Sequence, residues 1–272
     1  MNAEKLAELR KIGINRLSLG VQSLNDGELR LLGRTHSAGR AVKAINDAAA
    51  AGFGNISCDL MIALPGQSAE DLTDSVNRLT ELPIQHVSAY ILSIEGGTAF
   101  DCNEIRSRLP EDGETAALYT AMTELLREKG FRQYEVSNFA KEGFESRHNC
   151  RYWKCLDYLG IGPSAHSCYG GKRFAVDADL EKFIASPVQP VEITDESPCG
   201  FEEYSMLRLR LAEGLSLSDI EKRFSLENRV NIEKKIPALE KAGYLTFDGD
   251  RIALTRKGFL VSNSVISHLI FM

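Results

Sequence analysis

Two blocks rich in aromatic, imidazole and amide side chains are the part of this sequence best suited to chemistry. The first is His148-Asn149-Cys150-Arg151-Tyr152-Trp153, and the second is Tyr158-Leu159-Gly160-Ile161-Gly162-Pro163-Ser164-Ala165-His166-Ser167. No regular helix or strand period explains them, so we expect loops that build a site rather than a core. An imidazole in such a segment is a metal ligand by type, but the chain contains no CxxxCxxC spacing for an iron–sulfur cluster.

Polar side chains also stand at the ends of apolar runs in the first half of the chain. They are Gln22, Asp59, Ser93 and Glu95. In (β/α) barrels the C-terminal ends of the strands carry the chemistry, which makes these residues candidates. Other interpretations stay open: Gln22 as a strand-end amide that bonds a loop, and Asp59 as a helix cap or a buried partner.

Alternating strands and helices must position those residues. The pattern predicts helix Ala3–Lys11, strand Asn15–Gln22, helix Asn25–Leu32, a helix capped by Ser37 that ends near Ala51, strand Ile56–Leu64, helix Ala69–Leu82 capped by Ser68, strand His86–Leu92 and helix Asp112–Lys129. Apolar strands spaced by helices predict an α/β fold whose parallel sheet is covered on both faces.

The second half predicts a different architecture. We expect a boundary after residue 186, a linker over 187–199 and a separate domain over 200–272. Three helices (Phe201–Leu211, Ser218–Phe224 and Glu227–Lys241), a hairpin around Asp248-Gly249 and a last apolar helix resemble a winged helix, and Pro237 should kink or restart the third helix. Residues 200–272 carry 11 Lys/Arg and 10 Asp/Glu. This balance does not favour nucleic acid as a partner.

Composition places the chain among globular proteins of a reducing compartment. It has 272 residues, a net charge of −6 and six scattered cysteines. The cysteines suit the cytoplasm better than a disulfide framework. No apolar run approaches the roughly 20 residues that a membrane span needs, so we expect no transmembrane segment.

Taken in order, several motifs resemble the HemN/HemW family of radical SAM proteins, and within it the HemW branch. They are Asn15-Arg16-Leu17-Ser18-Leu19-Gly20-Val21-Gln22-Ser23, Leu32-Gly33-Arg34-Thr35-His36, Asp59-Leu60-Met61-Ile62-Ala63-Leu64-Pro65-Gly66-Gln67, Glu95-Gly96-Gly97-Thr98, Tyr134-Glu135-Val136-Ser137-Asn138-Phe139-Ala140 and the two blocks given first. The resemblance implies a partial radical SAM (β/α)6 barrel with a C-terminal helical, winged-helix-like domain.

The resemblance also implies the ligands. Gln22, Arg34 and Asp59 fall on positions that contact S-adenosyl-L-methionine (SAM), and Ser93 on a position that contacts it through backbone. The alternative for Arg34 is a solvated charge at a helix end. His148 is the candidate haem ligand, with Tyr152 and Trp153 against the porphyrin; Cys150 and His166 are alternative ligands. A histidine that only fixes its loop, with Trp153 in the core, is the competing interpretation.

Family members carry a CxxxCxxC loop for a [4Fe–4S] cluster in a segment that precedes the region matched here. We therefore expect Met1 to be an internal methionine and this chain to hold no cluster. The implied function is that of a haem chaperone that, when intact, binds SAM and the cluster and delivers haem to respiratory proteins. Two alternatives remain: an oxygen-independent coproporphyrinogen III oxidase, and an inactive fragment that needs its N-terminal part in trans and self-associates through an exposed barrel edge.

Overall fold

The computed structural model describes residues 3–98 and 100–271, in which strands and helices alternate up to residue 145. Met1 lies outside the described residues. The elements of this first unit are α1 (Ala3–Lys11), β1 (Leu17–Gln22), α2 (Asp26–Leu31), α3 (Ala38–Ala50), β2 (Ile56–Ile62), α4 (Ala69–Thr80), β3 (His86–Ile91), α5 (Asn103–Arg106), α6 (Asp112–Glu128), β4 (Arg132–Glu135) and β5 (Asn138–Ala140). Contacts between residues separate it from a second unit that begins at Ser146.

One five-stranded sheet organises the first unit, in the order β1-β2-β3-β5-β4. β1, β2 and β3 are parallel, and β5 and β4 continue the sheet antiparallel. Helix α3 packs on β1 and β2, and α6 packs on α4 and β4. β1 lies at the end of this order, and no strand of the described residues pairs with its outer side.

Local signals in the sequence fix the helix starts. The Ser37 hydroxyl accepts a hydrogen bond from the amide of Arg40 at 3.3 Å, as an N-cap should. Ser68 and Asp71 form a reciprocal capping box at the start of α4. The predicted caps of α3 and α4 are therefore confirmed.

The second unit contains two small sheets and eight helices in its described residues. Its elements are α7 (Arg147–Trp153), β6 (His166–Tyr169), β7 (Lys172–Val176), α8 (Leu180–Ala185), β8 (Val191–Asp195), α9 (Phe201–Leu209), β9 (Leu215–Ser216), α10 (Leu217–Arg223), α11 (Leu226–Glu233), α12 (Ile236–Lys241), β10 (Leu245–Phe247), β11 (Arg251–Leu254), α13 (Arg256–Leu260) and α14 (Ser262–Ile270). The sheets run β6-β7-β8 and β10-β11-β9.

One expectation for this unit is corrected. The block around His148 is helical, because Ser146 caps α7 by accepting from the amide of Asn149. Val191–Asp195, within the segment predicted as a linker, forms β8, which pairs antiparallel with β7. The predicted restart at Pro237 is confirmed: Pro237 lies in the first turn of α12, where its missing N–H costs no hydrogen bond.

In residues 3–98 and 100–271, no helix combines the length and the apolar character needed to cross a membrane.

Candidate functional site

The parallel strands of the first unit have one apolar face and one polar face. Ile56, Cys58, Leu60 and Ile62 alternate along β2 and are fully buried. The intervening positions of β2 carry Ser57 and Asp59. On the neighbouring strand β3, His86 lies opposite Ser57 and Ser88 lies opposite Asp59. Successive side chains of a strand point to opposite faces, so these four polar groups share the other face. Ser57, His86 and Ser88 are buried on this face, whereas Ser18 and Tyr90 are exposed.

Asp59 lies in the middle of the polar face. Its carboxylate accepts from the Ser18 hydroxyl at 3.4 Å and from Ser88. Burial raises the pKa of Asp59 above its usual value, while the two serines and the positive charge of Arg16 oppose the shift. The carboxylate is thus held by hydrogen bonds but remains only half-buried, as a ligand-binding group must be.

Gln22 ends β1 in a conformation that amino acids other than glycine rarely adopt. Its φ is +67°, and the pairing of β1 with β2 shifts register between Leu19 and Gln22. The side-chain amide lies over Gly20, where a Cβ would stand 3.0 Å from Gln22 Nε2. A strained backbone at a strand end is typical of functional positions.

Arg34 and Ser93 are both exposed. Arg34 follows α2, and its backbone amide donates to the carbonyl of Leu29 at 2.9 Å. Two residues later, the His36 ring donates to the carbonyl of Val21 at 3.1 Å and ties this loop to the end of β1. Ser93 follows β3. The structure therefore brings Gln22, the Arg34 loop and Asp59 to neighbouring strands, with Ser93 two positions beyond the end of β3.

Sequence reasoning missed the buried imidazole of His86. Its Nδ1 lies 2.7 Å from the Ser57 hydroxyl and its Nε2 lies 2.9 Å from the Tyr134 hydroxyl. Burial, helped by the charge of Arg16, lowers the pKa of His86 to about 3, so the ring is neutral. The period-two alternation of polar residues, Ser57 and Asp59 in β2 and His86 and Ser88 in β3, was the signal that could have found it.

Arg16, immediately before β1, was also missed as a site residue. Its charge opposes the rise in the pKa of Asp59 and adds to the fall in the pKa of His86. Arg16 Nε is buried and has no hydrogen-bond partner among the described residues. A buried donor of this kind costs free energy unless an acceptor reaches it. The polar face is therefore suited to an anionic or hydrogen-bonding ligand.

A second cluster stands on α7 in the other unit. His148 is exposed, and its Nε2 lies 2.7 Å from the Tyr152 hydroxyl one helical turn away. The two rings meet edge to face at 4.9 Å, and Tyr152 meets Tyr158 in the same way at 4.5 Å. Trp153 is half-buried. The arrangement places an accessible imidazole beside the ring of Tyr152, which in turn contacts Tyr158.

Comparison with known proteins identifies the family. The Radical SAM superfamily model matches residues 1–79, and the HemN C-terminal domain model matches residues 201–261. The chain is 33% identical to the heme chaperone HemW of Lactococcus lactis over 97% of its own length and 71% of that protein. It is 34% identical to the heme chaperone HemW of Bacillus subtilis, over 97% and 72% of the two chains. This chain belongs to the HemW family of radical SAM proteins.

The fold agrees with the family. The structure of Escherichia coli HemN, titled a coproporphyrinogen III oxidase and radical SAM enzyme, superposes with a TM-score of 0.81 at 22% identity, covering 100% of this chain and 67% of that one. The predicted fold, a partial radical SAM barrel with a C-terminal winged-helix-like domain, is confirmed. A mammalian protein is also similar: the mitochondrial radical S-adenosyl methionine domain-containing protein 1 of Bos taurus is 33% identical over 99% of this chain and 65% of its own.

The two cofactors of radical SAM proteins fit the described residues differently. The unpartnered Arg16 Nε, the Asp59 carboxylate and the Gln22 amide are suited to the carboxylate and ribose hydroxyls of SAM. For the [4Fe–4S] cluster there is no fit, because residues 3–98 and 100–271 hold no group of three metal-ligating side chains. The cysteines of the first unit are the buried Cys58, whose pKa burial raises to about 12, and the exposed Cys102.

Proposed function

We propose that this chain is a haem-binding chaperone of the HemW type, which holds haem against α7 with His148 as the iron ligand. The observation that carries this proposal is the exposed imidazole of His148 on α7, one helical turn from Tyr152. Neutral imidazole is the commonest protein ligand of haem iron. The HemW relatives, each named a heme chaperone, support haem as the ligand of this chain.

Ligation requires that Nε2 of His148 exchange its hydrogen bond with Tyr152 for iron. Because Tyr152 is 38% exposed, its released hydroxyl can bond to water, and the exchange costs only about 1 kcal/mol. The ring of Tyr152 already stands perpendicular to the imidazole. A porphyrin bound through the imidazole would meet this aromatic edge.

Charge on α7 is suited to the haem propionates. Arg147 and Arg151 are four residues apart and so lie on one side of the helix. Both are exposed, although Arg151 donates to the carbonyl of Asp157. The whole chain has a net charge of −6, so the two arginines make α7 a positively charged segment of an acidic protein.

Haem titration tests the proposal. Wild type should give a saturable Soret shift, and His148→Ala should weaken binding by about tenfold or more, since the iron bond is lost. Tyr152→Phe removes the competing hydrogen bond and should bind haem at least as tightly as wild type. His268→Ala, a substitution of another exposed histidine, is the matched control. An unchanged titration for His148→Ala would remove His148 as the ligand and point to Cys150 or His166.

The same proposal includes SAM on the polar face of the first unit, through Gln22, Arg34, Asp59 and Ser93. It also includes haem delivery to respiratory proteins, acting in the cytoplasm. The exposure of His148 supports delivery, because a recipient can reach a ligand that stands at the surface. Transfer is measured by mixing the haem-loaded chain with an apo b-type cytochrome and following the recipient's spectrum; haem that stays on this chain would contradict delivery.

A further inference from the structure

Three cysteines of the second unit come together from separate segments. Cys155 follows the end of α7, Cys168 lies in β6 and Cys199 precedes α9. The Cys199 side chain is hydrogen-bonded to the side chains of Cys155 and Cys168. All three are free thiols, and Cys168 is buried while the other two are partly accessible.

Backbone and ion-pair contacts hold this thiol cluster (Cys155, Cys168 and Cys199) in place. Cys168 faces Arg173 across the β6–β7 pair, and the Arg173 guanidinium lies 2.6 Å from Glu203. Glu203 in turn accepts from the backbone amide of Cys199 at 2.8 Å. On the other side, Tyr158 exchanges two backbone hydrogen bonds with Cys168, at 2.8 and 3.0 Å. The cluster is therefore part of a connected framework.

The backbone at the two accessible cysteines is unusual. Cys155 has φ +50° and Cys199 has φ +62°, both in the left-handed region. Glycine or asparagine adopts this conformation at lower cost, and other side chains there mark strained positions. Both members of a hydrogen-bonded thiol pair thus occupy backbone positions where a cysteine is conformationally unfavourable.

The two thiols differ in acidity. A hydrogen bond from Cys199 lowers the pKa of Cys155 and outweighs burial and the charges of Glu203 and Cys168, with a smaller contribution from the cation of Arg223. The same hydrogen bond and burial raise the pKa of Cys199. Cys155 is therefore the thiol that ionises first, and the thiolate is the nucleophile in disulfide exchange.

We propose that Cys155 and Cys199 form a thiol–disulfide exchange site whose substrate is a low-molecular-weight disulfide such as oxidised glutathione. The Cys155 thiolate attacks one sulfur of that disulfide, its S–S bond breaks, and one glutathione leaves as a thiolate that takes up a proton. Cys199 then loses its proton to solvent and attacks Cys155, which releases the second glutathione. Two protein thiols are oxidised to one disulfide while one external disulfide is reduced to two thiols.

The resulting bond would tie the residue after α7 to the segment that begins α9. The three thiols do not form a metal site, because the described residues hold no group of three His, Cys, Asp or Glu side chains that could bind a metal ion. Neither Cys155 nor Cys199 is a candidate iron ligand. The chemistry of this site goes beyond the haem-chaperone function proposed above.

Peptide mapping of the full chain after incubation with oxidised glutathione tests the proposal. Wild type should yield one linked peptide pair, Cys155 with Cys199, and neither of these two cysteines should remain a free thiol. Cys199→Ser should stop at a mixed disulfide, with one glutathione on Cys155. Cys155→Ser should lose the linked pair altogether. Cys102→Ser, a change at an exposed cysteine of the other unit, is the control and should form the linked pair as wild type does.

Mapping of wild type alone is decisive even where a serine variant folds poorly. A linked pair that contains Cys168, or no linked pair under conditions in which the exposed Cys102 takes up glutathione, would overturn the proposal. So would a Cys199→Ser protein in which Cys155 takes up no more glutathione than Cys102, because Cys155 would then have no special reactivity.

Discussion

At the scale of single residues, His86 makes stability depend on pH. Its pKa is lowered from 6.5 to about 3, first by burial and then by the charge of Arg16. Below about pH 6.5, His86 is protonated in the unfolded chain but stays neutral in the folded chain. The free energy of unfolding therefore falls as the pH drops towards 3. Between pH 7 and pH 4.5, urea unfolding of wild type should lose about 2 kcal/mol more than unfolding of His86→Gln.

His268 supplies the comparison for this measurement, because it is an exposed histidine on α14. His268→Gln should keep the pH dependence of wild type. If His86→Gln also kept it, the burial of a neutral imidazole would not be the origin of the effect. Carboxylates titrate in the same range, and the difference between the two variants removes their contribution.

The sequence predicted the positions of individual residues correctly where a polar side chain directly follows or ends an apolar strand. Gln22 and Ser93 were expected at strand ends and lie at the end of β1 and just beyond β3. Arg16 and His86 were missed, because their roles depend on which strands become neighbours. Ser57 and His86 are neighbours because β2 pairs with β3. Local sequence patterns do not predict which strands pair or in which register.

At the scale of elements, the outer edge of β1 predicts self-association. The amide of Leu17 donates to Asn55, the residue before β2, so the N–H of Ser18 points away from the sheet. A cavity of about 550 Å³ borders the same strand, lined by Leu19, Gly20, Val21 and residues of α1, α3 and the loop before α3. We infer that a second copy can pair with this unprotected edge.

Ser18→Lys should weaken that pairing, because a lysine on an edge strand disfavours strand addition. The expected dimer dissociation constant, measured by sedimentation equilibrium, rises about tenfold, equivalent to about 1.4 kcal/mol. Ser107→Lys places the same charge at an exposed site after α5 and should change nothing. Equal dissociation constants for the two variants would rule out β1 as the contact.

Element prediction failed at α7 for a physical reason. The helix has seven residues, two of them aromatic, and such a short segment shows no convincing period. Its signals were Ser146 as N-cap and the spacing of His148 and Tyr152 by one turn. By contrast, α4 combined a capping box with a clear apolar stripe, and its start at Ala69 was predicted correctly.

At the scale of the whole molecule, the chain divides at residues 145 and 146 by its internal contacts. The predicted boundary at 187–199 rested on prolines and acidic residues, and it stays a prediction. Composition could not predict that Val191–Asp195 pairs with β7, because the pairing of a strand depends on contacts with residues distant in sequence. The two candidate sites fall in different units by this division.

The hydrogen bonds of the two candidate sites predict independent ligands. Asp59 bonds to Ser18 and Ser88, whereas His148 bonds to Tyr152, and these described bonds share no residue. We therefore expect substitutions at the two sites to act additively, as those of distant residues without shared partners usually do. Asp59→Asn should therefore weaken SAM binding by about tenfold, through loss of a charged hydrogen bond, and leave haem affinity unchanged. His148→Ala should do the reverse.

Isothermal titration with SAM and Soret titration with haem, applied to both variants and to the double variant, measure this directly. Asn keeps the shape of Asp but carries no charge. Because burial raises the pKa of Asp59 and so disfavours its charged form, Asp59→Asn should unfold no more easily than wild type at pH 7. A loss of SAM binding without loss of stability then reports on the ligand contact alone. Haem affinity that falls with Asp59→Asn would show instead that the two sites are coupled, since independent sites cannot transmit the change.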